Sequence, residues 1–104
     1  MKKKSILLYS CFLLSMPMMA QQNNKALRDS LAAATNVLAY HPDSIDLRLK
    51  KAAWNIQLEQ WAYAKDDLDK VLFLNNTNIA GLFYRAFVNE KMKRYNFARL
   101  DYQN

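Results

Sequence analysis

The sequence predicts an all-α fold built from stacked helical hairpins, and three observations carry that reading. The chain lines up with itself, without a gap, under one constant shift: Pro42 falls on Asn76, Ile45 on Ile79, Ala52 on Ala86, Asn55 on Asn89, Ala64 on Ala98 and Asp67 on Asp101. Between them fall pairs of similar size, Leu58 with Met92, Trp61 with Tyr95, Tyr63 with Phe97, Lys65 with Arg99 and Leu68 with Tyr102. One glycine and two prolines in 104 residues leave little room for strand hairpins or phosphate loops, and apolar residues recur at spacings of three and four. A fixed period of about 34 residues marks a solenoid, in which each unit buries its face only against its neighbours.

The elements follow in order. A first helix is expected from Lys25 to Tyr40, capped by Asn24, with Leu27, Leu31, Ala34 and Leu38 as its apolar stripe and Val37 beside it. His41-Pro42-Asp43 stops it, because proline disfavours helical geometry in the residue before it. Asp43 or Ser44 caps a second helix that runs to Leu58, and Glu59-Gln60 makes a short turn. A third helix spans Trp61 to Leu74; the Asn75-Asn76-Thr77-Asn78 run ends it, asparagine being tolerant of the left-handed conformation. A fourth helix is expected from Ile79 to Lys93, and a fifth begins near Tyr95 and reaches the end at Asn104.

The first twenty residues read differently. Lys2 to Lys4 form a positive segment, Ile6 to Met16 an apolar run of eleven residues, and Ala20 a small residue before polar Gln21-Gln22-Asn23-Asn24. This is the pattern of a secretory signal peptide cleaved after Ala20, although Met18 departs from the usual small residue. The run is shorter than the roughly 20 residues a membrane-spanning helix needs. Cys11 lies inside it, so residues 21–104 contain no cysteine, which suits an exported protein held together by a helical core. Without the three leader lysines the formal charge falls from +6 to +3, and the remaining charges alternate in sign. That pattern reads as a solvated helix surface and not as a nucleic-acid stripe.

With Ala52, Trp61, Ala64 and Leu68 in one unit, Ala86, Tyr95, Ala98 and Tyr102 in the next, and Pro42 closing a preceding unit, the chain resembles a tetratricopeptide repeat protein. The resemblance covers about Lys25 to Asn104, and departs from the family at Arg48, Lys51, Arg85 and Asn76. It implies a right-handed helix–turn–helix solenoid of about two repeats after a lone helix: 25–40, then 43–76, then a partial unit 77–104. An array normally needs about three repeats. Two readings meet that shortfall: the chain is part of a longer array, favoured because no stop signal precedes Asn104, or it covers an open C-terminal end, with Leu100 and Tyr102 partly exposed, by self-association.

The resemblance also places a binding surface on the first helix of each unit. Its positions are Asp46, Leu49, Ala53, Ile56 and Gln57, then Ala80, Phe83, Phe87, Glu90 and Lys91, each set on one helix face. Apolar at the centre and polar at the rim, it suits an apolar or amphipathic peptide. Clamping of a terminal carboxylate is not expected, because Leu49, Ala53, Phe83 and Phe87 stand where Lys and Asn would be needed. The lone His41 lacks convergent partners, and Asp66, Asp67 and Asp69 read as a solvated helix face and not a calcium site. Trp54 and Trp61 read as core. No residues for catalysis, cofactor or metal binding are expected. The function class is therefore a protein-interaction module of the bacterial envelope, with a structural subunit, or a catalytic region beyond Asn104, as alternatives.

Overall fold

The computed structural model describes residues 24–104, so the leader reading of residues 1–20, with Cys11, lies outside the described residues. Among the described residues five helices follow one another: α1 over residues 24–40, α2 Ile45–Gln57, α3 Trp61–Leu74, α4 Ile79–Lys91 and α5 Tyr95–Gln103. No strand occurs among the described residues, and the fold is all-α. No described helix is long and apolar enough to cross a membrane. α2 packs on α3, α3 on α4 and α4 on α5, with a lighter contact of α2 with α4. The step from Ile45 at the start of α2 to Ile79 at the start of α4 equals the step from Trp61 to Tyr95, the starts of α3 and α5, and both match the sequence register.

Small residues set the helix crossings. Ala52, Ala64 and Ala86 are fully buried and Ala98 nearly so. Ala52, Ala64, Leu68 and Val88 form the central cluster, with Leu49, Ile56, Trp61, Tyr84 and Met92 packed against it. Tyr84, Val88 and Met92 are four apart, so α4 offers one stripe to the first hairpin. Gly81 serves the same contact: a Cβ there would stand 3.1 Å from Val71 Cγ1 and 3.2 Å from Leu72 Cδ2. In α1, Ala34 and Leu38 are buried and Leu27 and Leu31 half-buried, as its stripe predicts, whereas Val37 is exposed.

The connections differ from expectation in instructive ways. Asn24 is already helical instead of capping α1, α2 stops one residue short of Leu58, and α4 stops at Lys91 and not Lys93. Ser44 occupies the N-cap position of α2 without a side-chain bond. The asparagine run after α3 does not supply left-handed residues. Asn75 Oδ1 instead accepts from the Thr77 N–H at 3.1 Å, and Asn78 Oδ1 caps α4 by accepting from the Gly81 N–H at 2.8 Å. The left-handed residues are Glu59 (φ 56°) and Lys93 (φ 61°), one at each hairpin turn. Their surroundings are Schellman motifs: Gln60 N–H donates to the Asn55 carbonyl and Glu59 N–H to that of Ile56, and Arg94 and Lys93 repeat the pair on Asn89 and Glu90. A polar run attracts turn chemistry, but helix C-termini need one residue past the cap in a left-handed state, whatever its side chain.

Two stability measurements test this packing. Ala64→Leu overfills a fully buried crossing and is expected to cost about 1–3 kcal/mol in urea denaturation. Glu59→Gly removes the Cβ penalty of the left-handed turn and is expected to raise stability by about 1 kcal/mol, seen as a higher denaturation midpoint.

Candidate functional site

The expected first-helix surface is distributed unevenly. Leu49 and Ile56 lean into the core cluster, Ala53 is half-buried, and Gln57 is exposed at the end of α2. On α4, Phe83 is 58% exposed, Phe87 half-buried, and Glu90 and Lys91 exposed. Two aromatic groupings emerge. Phe87 meets Trp61 edge-to-face with centroids 6.1 Å apart, and Lys91 Nζ sits over the Phe87 ring at 5.4 Å. Phe83 meets Tyr84 at 6.5 Å and Tyr102 at 6.0 Å. Trp61 therefore links α2 to α4, because it packs on the core cluster alongside Leu49 and Ile56 while touching Phe87. Phe83 belongs to a second region, a hollow of about 300 Å³ formed with Ile79, Leu82 and Tyr102. Partial desolvation, with the nearby Glu90 carboxylate adding, pushes the Tyr102 phenol above its ordinary pKa.

The acidic cluster on α3 is not a solvated face. Asp67 is 2% exposed, and its carboxylate accepts from Lys51 Nζ at 3.2 Å and Asn55 Nδ2 at 3.1 Å, with Arg48 Nη1 at 3.8 Å. Arg48 Nη2 donates to the Pro42 carbonyl at 2.8 Å, tying the turn before α2 to this network. Asp69 is half-buried between Lys65 Nζ at 2.7 Å and Arg85 Nη1 at 3.1 Å. Only Asp66 is exposed. Local charge alternation predicted solvation for all three, but Asp67 points at cations on the facing helix, well back along the chain.

The second hairpin repeats the arrangement. Asp101, 5% exposed, accepts two bonds from Arg85, Nε at 2.9 Å and Nη2 at 2.7 Å, and one from Asn89 Nδ2 at 3.3 Å. Because Arg85 Nη1 also reaches Asp69, Arg85 joins α4 to both α5 and α3. Its pKa is pushed above its already high value, chiefly by the bond to Asp101, with desolvation opposing and Asp69 adding. A raised folded pKa contributes stability below the unfolded pKa that is lost only as pH rises through the folded value, so Arg85 stays charged under acid and neutral conditions.

Above these networks lie two cavities, of about 380 and 340 Å³. Each residue lining the first has its counterpart, one repeat on, among the residues lining the second. Lys51 corresponds to Arg85, Asn55 to Asn89, Tyr63 to Phe97 and Asp67 to Asp101. The floor comes from the first helix of a hairpin, and the walls from the second helix and the helix before. Asn89 Oδ1 is buried there without a hydrogen-bond donor. The signal for these cavities was in the sequence, as the identities Asn55–Asn89 and Asp67–Asp101, but polar identity alone does not say that a cleft opens above it. No group of three or more potential metal ligands occurs among the described residues.

Comparison with protein-family models and with curated proteins finds no match. Asp67→Ala leaves Arg48 and Lys51 without their carboxylate and is expected to cost about 3–5 kcal/mol. Asp66→Ala, on the exposed side of the same turn, is expected to stay within about 0.5 kcal/mol, and paired urea titrations check the contrast.

Proposed function

We propose that this chain is an exported, tetratricopeptide-like module of the bacterial envelope, a right-handed solenoid that holds a partner protein or peptide and performs no catalysis. The observation that carries the reading is the equivalence of the two hairpins at one constant sequence spacing, with an aromatic-centred surface on their first helices. Phe87, Trp61 and Lys91 supply its centre: an apolar wall with a cation at the edge, suited to an amphipathic segment ending in or flanked by acidic side chains. Leu49, Ala53 and Ile56 extend it along α2, and Gln57 and Glu90 form the polar rim. Phe83 extends it towards Tyr102.

A second reading, a structural subunit that self-associates, is favoured by the exposed Phe83–Tyr102 pair and the hollow beside it. The two readings separate by variant. A partner isolated from envelope extracts is expected to bind Phe87→Ala at least about tenfold more weakly than the parent, as for a central aromatic anchor. Tyr102→Ala is expected to leave that affinity unchanged. Partner binding indifferent to both Phe83→Ala and Phe87→Ala counts against the groove. Loss of a dimer in Tyr102→Ala, measured by sedimentation, favours the subunit reading.

A further inference from the structure

The paired cavities have no role in the reading above and lie on different surfaces from the Phe87 grouping. Both fall at the lower end of the roughly 300–1,000 Å³ range of small-molecule sites. Each has one exposed aromatic wall: Tyr63 is 65% exposed and Phe97 54%. Each has a floor of asparagine, carboxylate and cation. The floor charges are already matched to one another, Lys51 with Asp67 and Arg85 with Asp101. In the first cavity, Lys70 and Asp66 at the rim balance as well. In the second, the additional cation Arg94 lies over the Phe97 ring at 4.5 Å.

These features select a ligand class. Paired charges leave little net field for a free anion or cation, so the ligand is neutral. An exposed ring beside polar groups suits a molecule with one C–H face and a rim of hydroxyls. The asparagine amides, carboxylates and Lys or Arg nitrogens offer both donors and acceptors for such a rim, and Asn89 Oδ1 is an acceptor still without a donor. A peptide would want apolar side-chain pockets or an open strand edge, and neither is present at these charged floors. Two like cavities one structural repeat apart suit a ligand whose own chemistry repeats. We infer that the paired cavities bind a neutral oligosaccharide, with one sugar ring against Tyr63 and another against Phe97.

The test uses the full chain and calorimetric titration with neutral maltooligosaccharides and chitooligosaccharides of two to six units. Affinity is expected to rise by about a hundredfold from the shortest to the longest member of the series that binds, as the second cavity engages. Tyr63→Ala or Phe97→Ala, each removing an exposed ring, is expected to abolish the length dependence, and the double variant to abolish binding. Tyr63→Phe is expected to retain it, and Phe87→Ala, which weakens the proposed peptide surface, is expected to leave it intact. Helical circular dichroism equal to the parent's establishes that each variant is folded. Three results would overturn the inference: no saturable binding of either series to the folded parent, binding that survives in the Tyr63→Ala/Phe97→Ala variant, or binding restricted to sulfated or carboxylated glycans or to peptides.

Discussion

A buried carboxylate on the second helix of each hairpin is the constraint around which the rest is arranged. Asp67 and Asp101 are each nearly inaccessible to water, and a lone charge there would be strongly unfavourable. Each therefore demands cations and amides from the facing helix, at a separation that fixes how the two helices register. The demand is met differently in the two units. Asp67 gathers Lys51, Asn55 and, more distantly, Arg48. At the position equivalent to Arg48 the second unit has Leu82, and the missing charge is made good by one bidentate arginine. A guanidinium can present two parallel N–H groups to one carboxylate and a third to another, which an ammonium on a flexible stem does less well. Arg85 uses that geometry to reach back to Asp69, so the second network spans three helices where the first spans two.

The polar network and the alanine crossings depend on one another. Close approach at Ala52, Ala64, Ala86 and Ala98 brings the helix backbones near enough for short Asn and Asp side chains to meet. The short side chains then leave space above them, on the face where a larger residue would have filled the gap. That is the physical origin of the two cavities. They are a consequence of specifying register with small polar groups instead of bulky apolar ones. The same choice concentrates large apolar side chains elsewhere, as in the Trp61–Phe87 and Phe83–Tyr102 contacts.

The two proposed roles thus sit on different chemistry. The first-helix surface is aromatic with a cationic edge and suits a side-chain-rich partner. The paired cavities are charge-matched and aromatic-walled and suit hydroxyl groups. An extended repeat with two ligand surfaces could hold a protein against a polymer, a task for which the regular spacing of equivalent sites is more useful than any single deep pocket.

What the sequence by itself determined was the local periodicity and the register. Helix type and order follow from apolar spacing, breaks follow from Pro42 and the asparagine run, and the constant shift between units predicts which side chains occupy equivalent places. The buried alanines were legible for the same reason, since a small residue repeating at the middle of a helix has few uses other than close packing. Only the tertiary structure decided which charges are solvated. Asp66 and Asp67 are neighbours in an alternating run, yet a rotation of one residue around α3 carries one into water and the other onto Lys51 and Asn55. It also decided that Glu59 and Lys93, and no asparagine, take the left-handed turn, because the demand arises from where a helix stops against its neighbour. Burial and cavity shape depend on residues brought together across a helix pair, and a local pattern carries no term for them.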